Sequence, residues 1–168
     1  MMKKWAVIAA LAILAVGGGL LAWKIFFPDE KARVVRALDD AAEAVCFEPG
    51  DPPAAMLVKT RRLEAALDDR VDVTIRVDRR DYERVMEKKE IVALFTAGRR
   101  AGGSLKAGLS DHSVEISGDR AVAEATGSIR YANGGREFSQ QEDVTVELLR
   151  RDGKWLISRV RFRSFMEK

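Results

Sequence analysis

Two hydrophobic periods divide the sequence. Between residues 30 and 98 the apolar positions recur mostly three and four apart, and from residue 104 onward they alternate. Before both lies an uncharged run of 19 residues, Trp5 to Trp23, too uniformly apolar to give a helix a wet face. As a helix that run is about 28 Å long, close to the roughly 30 Å hydrocarbon core of a bilayer. Val34, Leu38, Ala41 and Val45 predict a first helix capped by Asp29 after Pro28 and ended by Glu48-Pro49-Gly50. Asp51 followed by Pro52 predicts the cap and first turn of a second, with Met56, Thr60, Leu63 and Leu67 as its inward stripe.

Val71, Val73, Ile75 and Val77 alternate with polar residues and predict a half-buried strand. Asp78 and Asp81 are spaced as the cap of a third helix carrying Tyr82, Val85, Met86, Val92, Ala93 and Phe95 and ending near Gly98. Three turn signals follow: Gly118-Asp119, Asn133-Gly134 and Asp152-Gly153. They separate four long strands, at about 104 to 117, 120 to 132, 136 to 150 and 154 to 165. In the first, Leu105, Ala107 and Leu109 share one parity and Val114 and Ile116 the other. That switch requires a bulge, placed most simply at Ser110-Asp111. The order of elements predicts an α+β domain: a curved antiparallel sheet, four strands in a meander plus one more, wrapped on about three helices.

Charge sharpens the ends of this picture. The chain has 29 basic and 26 acidic residues, a net charge of +3. Residues 1 to 27 hold Lys3, Lys4 and Lys24 and no acid, so residues 28 to 168 are neutral. A neutral domain argues against nucleic acid as a partner. Lys3 and Lys4 before the uncharged run, with Trp5 and Trp23 at its ends, predict residues 1–27 as a short cytoplasmic end and signal-anchor. Residues 28–168 are then expected outside the cytoplasmic (inner) membrane of a bacterium. A cleaved signal peptide is the alternative, with Ala15-Val16-Gly17 as the nearest small-x-small site. With Cys46 the only cysteine, no intramolecular disulfide can form, and the residue is expected to be a small buried hydrophobe.

The closing run Asp152-Gly153-Lys154-Trp155-Leu156-Ile157-Ser158-Arg159-Val160 resembles the last strand of the nuclear transport factor 2-like superfamily, which includes ketosteroid-isomerase-like and polyketide-cyclase-like proteins. Leu109-Ser110-Asp111 through Asp119 resembles the bent strand pair of that superfamily. The resemblance covers about residues 29 to 165. It implies a cone in which the curved sheet wraps helices around a central pocket. Some members act on small apolar molecules, and others only bind ligands or partners. Membrane-anchored relatives include an inner-membrane assembly factor of type IV secretion systems.

Candidate chemistry is sparse. An isomerase of this type pairs a carboxylate base with Tyr and a protonated Asp, and no position here matches that set. Tyr82 and Tyr131 read as packing and edge aromatics. The single histidine, His112, cannot build a zinc site with one cysteine far away in sequence. It falls in the expected bulge, so Phe95, His112 and Tyr131 form the tentative pocket for a small apolar ligand. Ala121, Ala123, Ala125 and Gly127 make a small-residue row that suits close helix packing or leaves room for a ligand. No phosphate loop or dinucleotide fingerprint occurs, and no cofactor or metal is expected.

The last strand carries one organised charge feature. Arg159, Arg161 and Arg163 share a parity with Trp155 and Ile157, opposite Leu156, Val160 and Phe162. Asp143 and Glu147 on the preceding strand can pair with them. The functional reading makes the arginines a face for a protein partner or a second copy. The resulting expectation is a membrane-anchored, non-catalytic partner-binding or assembly component of the cell envelope. An isomerase-like or hydratase-like enzyme, or a small apolar-ligand binder, is the alternative.

Overall fold

The computed structural model describes residues 29–77 and 80–163. The predicted anchor, residues 1–27, lies outside the described residues. Among those described, no helix is long and apolar enough to cross a membrane. Two compact units divide the chain, Met1–Arg33 and Val34–Lys168. Of the first, residues 29–33 are described: Asp29 accepts a hydrogen bond from the Lys31 backbone N–H at 3.2 Å, the expected cap.

Three helices and six strands are described: α1 (Glu30–Val45), α2 (Pro53–Ala66), β1 (Leu67–Val77), β2 (Arg80–Glu87), α3 (Lys88–Arg100), β3 (Ser104–Ser117), β4 (Arg120–Asn133), β5 (Arg136–Arg151) and β6 (Lys154–Arg163). The strands form one sheet in the order β2-β1-β6-β5-β4-β3. The β3–β6 meander is antiparallel, as is the β1–β2 hairpin, but β1 runs parallel to β6. The sheet is therefore mixed, which corrects the antiparallel expectation. The link from β1 to β6 runs through β2, α3 and the whole meander, so a parallel pairing costs no tight turn.

Residues 80–87 correct a second expectation. They form a strand, and α3 begins only at Lys88. Tyr82, Val85 and Met86 fit a helical stripe by spacing, but the aromatic and β-branched residues among them suit a strand. Pairing Tyr82 with Ile75 and Met86 with Val71 gives β1 its second partner. Asp78 lies outside the described residues. Leu67 likewise opens β1 rather than closing α2. Asp51 is not the α2 cap: Pro52 takes that place without a side-chain bond, and Asp51 accepts from Lys59 Nζ at 2.9 Å and Glu48 N at 3.3 Å.

The turns follow the sequence closely. Asp152 (φ 50°) and Gly153 (φ 74°) both take positive φ, the geometry of a type I′ hairpin turn. The β4–β5 loop is Gly134-Gly135, one residue beyond the expected Asn133-Gly134. The expected bulge in β3 is present. Register slips by one between Ser110 and Ser113, and Asp111 has φ 54°.

One face of the sheet, here the inner face, packs under the helices. Val114, Ala123, Val146, Val160 and Val73 form one row across five strands. They belong to a single core with Val34, Leu38, Ala41 and Ala44 of α1, Leu63 of α2 and Ile91 of α3. Ala121, Ala123 and Ala125 are buried, Ala123 fully at 0 % exposure, so the small-residue row serves close packing. At Gly127 an added Cβ would come within 2.7 Å of Val144 Cγ2, so the Val144 side chain occupies the room beside it.

Candidate functional site

β6 contains a second bulge, between the Glu147–Arg159 and Leu148–Ile157 pairs. It shifts the strand parity at Ser158. Trp155 and Ile157 face inward before it, and Val160 and Phe162 pack on the same core after it. Arg159, Arg161 and Arg163 are therefore set on the outer face, away from Trp155 and Ile157, which corrects the expected grouping.

On that face Asp72, Arg159 and Glu147 are direct neighbours across three strands. Arg159 donates to Asp72 at 2.8 Å and to Glu147 at 3.2 Å, and Arg161 donates to Glu147 at 2.9 Å. The bonds to Asp72 and then Glu147 raise the Arg159 pKa above its usual value. The expected pairing of Glu147 with the arginines is present. Arg161 and Arg163 are exposed, whereas Arg159 is partly enclosed by its two carboxylates.

The tentative pocket residues fall at separate points. Phe95 lies on α3, partly buried against the core. Tyr131 is opposite Leu105, and its hydroxyl accepts from Asn133 Nδ2 at 3.1 Å. His112 lies seven residues beyond Leu105 along β3, roughly 23 Å away. Tyr131 and His112 therefore do not converge. What His112 meets instead is α1. Its Nε2 sits 3.3 Å from Asp39 Oδ1, with the imidazole 15 % and the carboxylate 53 % exposed. The approach angle falls short of a hydrogen bond, leaving Nε2 buried and unsatisfied. The nitrogen nearest the carboxylate is thus the enclosed one, and a substrate would have to meet Nδ1. Among the described residues, no group of three or more His, Cys, Asp or Glu side chains is placed to hold a metal ion.

Sequence reasoning missed Arg99. It is buried and donates to Ala44 O at 2.6 Å, Thr60 Oγ1 at 2.7 Å and Met56 O at 3.2 Å. Burial lowers its pKa, opposed by the nearby Asp51 carboxylate. Arg99 thereby satisfies a carbonyl at the end of α1 and ties α1, α2 and α3 together. Cys46 likewise joins α1 to the sheet. Its thiol contacts Ala42 O at 3.2 Å and Ala107 O at 3.3 Å, and the residue is only partly buried. A further depression of 220 Å³ opens on the outer face of β3–β5, with Lys106, Gly108, Ser128, Arg130 and Ser139 around it.

Solved structures share this architecture. An NTF2-like protein from Cytophaga hutchinsonii superimposes with a TM-score of 0.61 at 14% identity, over 82% of this chain and 99% of that one. The chain has the NTF2-like fold. An NTF2-like protein with a cystatin-like fold from Novosphingobium aromaticivorans gives 0.60 at 13% identity, over 88% and 90%. A hexachlorocyclohexane dehydrochlorinase, type 2, gives 0.59 at 16% identity, over 80% and 84%. At these identities the likeness concerns fold alone. No family model and no curated protein matches the sequence.

Proposed function

We propose that the chain is a membrane-tethered extracytoplasmic binding module, a partner-binding or assembly component of the cell envelope without chemistry of its own. The observation that carries this reading is the filled inner face. Leu38, Leu148, Ala123, Trp155 and Ile157 are buried between the helices and the sheet, where the resemblance implies a central pocket. The uncharged run Trp5 to Trp23, preceded by Lys3 and Lys4, supports the tether. Binding then falls to the exterior, with Arg161 and Arg163 as the partner-facing members of the arginine row and a second copy of the chain as one candidate partner. The test is membrane fractionation with the intact mass of the mature protein. The expected product sits in the membrane fraction and retains residues 1–27. A soluble product starting near Gly18 contradicts the tether.

One observation favours a second reading. The Asp39–His112 pair, on a fold shared with a dehydrochlorinase, suits proton abstraction from a small apolar molecule followed by elimination or hydration. In that case His112→Gln abolishes turnover while thermal stability changes little. Unchanged turnover in His112→Gln removes this reading.

A further inference from the structure

The depression on the outer face lies eight residues along β5 from the Glu147–Arg159 pair. Lys106, Arg130 and Ser139 stand opposite one another across β3, β4 and β5, and Gly108 lies opposite Ser128 one step along. Gly108 adds no side chain to this space; a Cβ there would sit in ordinary contact with Ser128 Oγ at 3.4 Å. Two cations and two serines, together with Ala107 and Ile129, border a space of 220 Å³. The cations suit it to an oxyanion.

Each cation has a carboxylate at the rim. Lys106 Nζ is 2.8 Å from Glu48 and Arg130 Nε is 4.0 Å from Glu137, all four side chains being well exposed. Exposed pairs of this kind hold weakly. A phosphate carries about two negative charges at neutral pH and can meet both cations at once, where a carboxylate carries one. Arginine adds a planar fork that matches phosphate oxygens. The domain as a whole is neutral, which disfavours a polyanion such as nucleic acid.

We infer that this hollow binds a phosphate dianion, free or as the head of a small phosphomonoester. Lys106 and Arg130 balance its charge, Ser139 supplies a hydroxyl, and Gly108 leaves the room, while the Ser128 hydroxyl donates to Gly108 O at 3.4 Å when the hollow is empty. Glu48 and Glu137 act as internal competitors that hold the cations when the hollow is empty. The site stands whether or not the chain is tethered or has a protein partner.

The test is a titration of the full-length, isotope-labelled chain at constant ionic strength, following the backbone amides of Gly108, Ser128 and Ser139. The probes are inorganic phosphate, phenyl phosphate and benzoate. Both phosphates are expected to saturate the shifts, with benzoate weaker by about tenfold. Tighter binding of phenyl phosphate marks an ester as the ligand, and equal binding marks free phosphate. Arg130→Gln, at an exposed position, should weaken phosphate by about tenfold, and Glu137→Gln should tighten it about twofold to threefold by removing a competitor. Shifts that rise linearly without saturation overturn the inference, as do equal responses to all three probes or unchanged binding in Arg130→Gln.

Discussion

The two faces of this one sheet are built on opposite principles. The inner face is a lattice of Val, Ala, Leu and Ile with Trp155, sealed by three helices. The outer face carries Asp72, Glu147, Arg159 and Arg161 in a ladder, and serines around a hollow. Residues adjacent in sequence belong to different regimes, because strand side chains alternate. Leu148 is fully buried while its neighbour Glu147 holds two arginines. The inner face therefore supplies the apolar burial that holds the domain together, and the outer face leaves its polar side chains in water.

The sharpest way to break this contrast is a cavity on the inner side. Leu148→Ala should cost about 2–5 kcal/mol, seen as a lower urea midpoint with an unchanged slope. A cost below about 1 kcal/mol would mean that the interior is loosely packed and able to admit a ligand. Next comes Arg99→Met, which keeps bulk but leaves the carbonyl of Ala44 at the end of α1 without its donor. A loss of about 1–3 kcal/mol is expected. On the outer side effects shrink. Arg159→Ala should cost about 0.5–1 kcal/mol, since the pairs it makes are partly exposed. Arg161→Glu should change stability by less than about 0.5 kcal/mol yet abolish capture of the partner in pull-downs.

The smallest effect is in pH. The hydrogen bond from Lys59 holds the Asp51 carboxyl below its usual 3.8, and Lys88 does the same for Asp69. A folded-state value below the unfolded one gives stability that is complete above about pH 4 and is lost as pH falls through the lower folded values. The urea midpoint should thus be flat down to about pH 4.5 and decline below it, less steeply in Asp51→Asn.

Much of the inner face is legible in sequence. The alternation in β4 and β5, the hairpin turns and the Asp111 bulge each leave a mark in residue type or parity. The Ser158 bulge leaves a weaker mark: Trp155 and Ile157 take one parity and Val160 and Phe162 the other, but Leu156 blurs the switch, and the pairing with β5 reveals the slip. β2 reads as helix because Tyr82, Val85 and Met86 satisfy a helical spacing, whereas β1 needs an edge partner. Arg99 falls one residue past the expected helix end near Gly98. Its burial depends on the ends of α1 and α2 meeting it. Asp39 joins His112 only through the packing of α1 on the bulged strand, and no local pattern records that.

The central claim, that this domain works through its outer face and not through the Asp39–His112 pair, is tested most directly by photocrosslinking in cells. A photoreactive residue is placed in turn at Arg161 on the outer face and at Asp39 beside His112. The account predicts a discrete protein adduct from position 161 and none from position 39. An adduct confined to position 39, with position 161 silent, would contradict it.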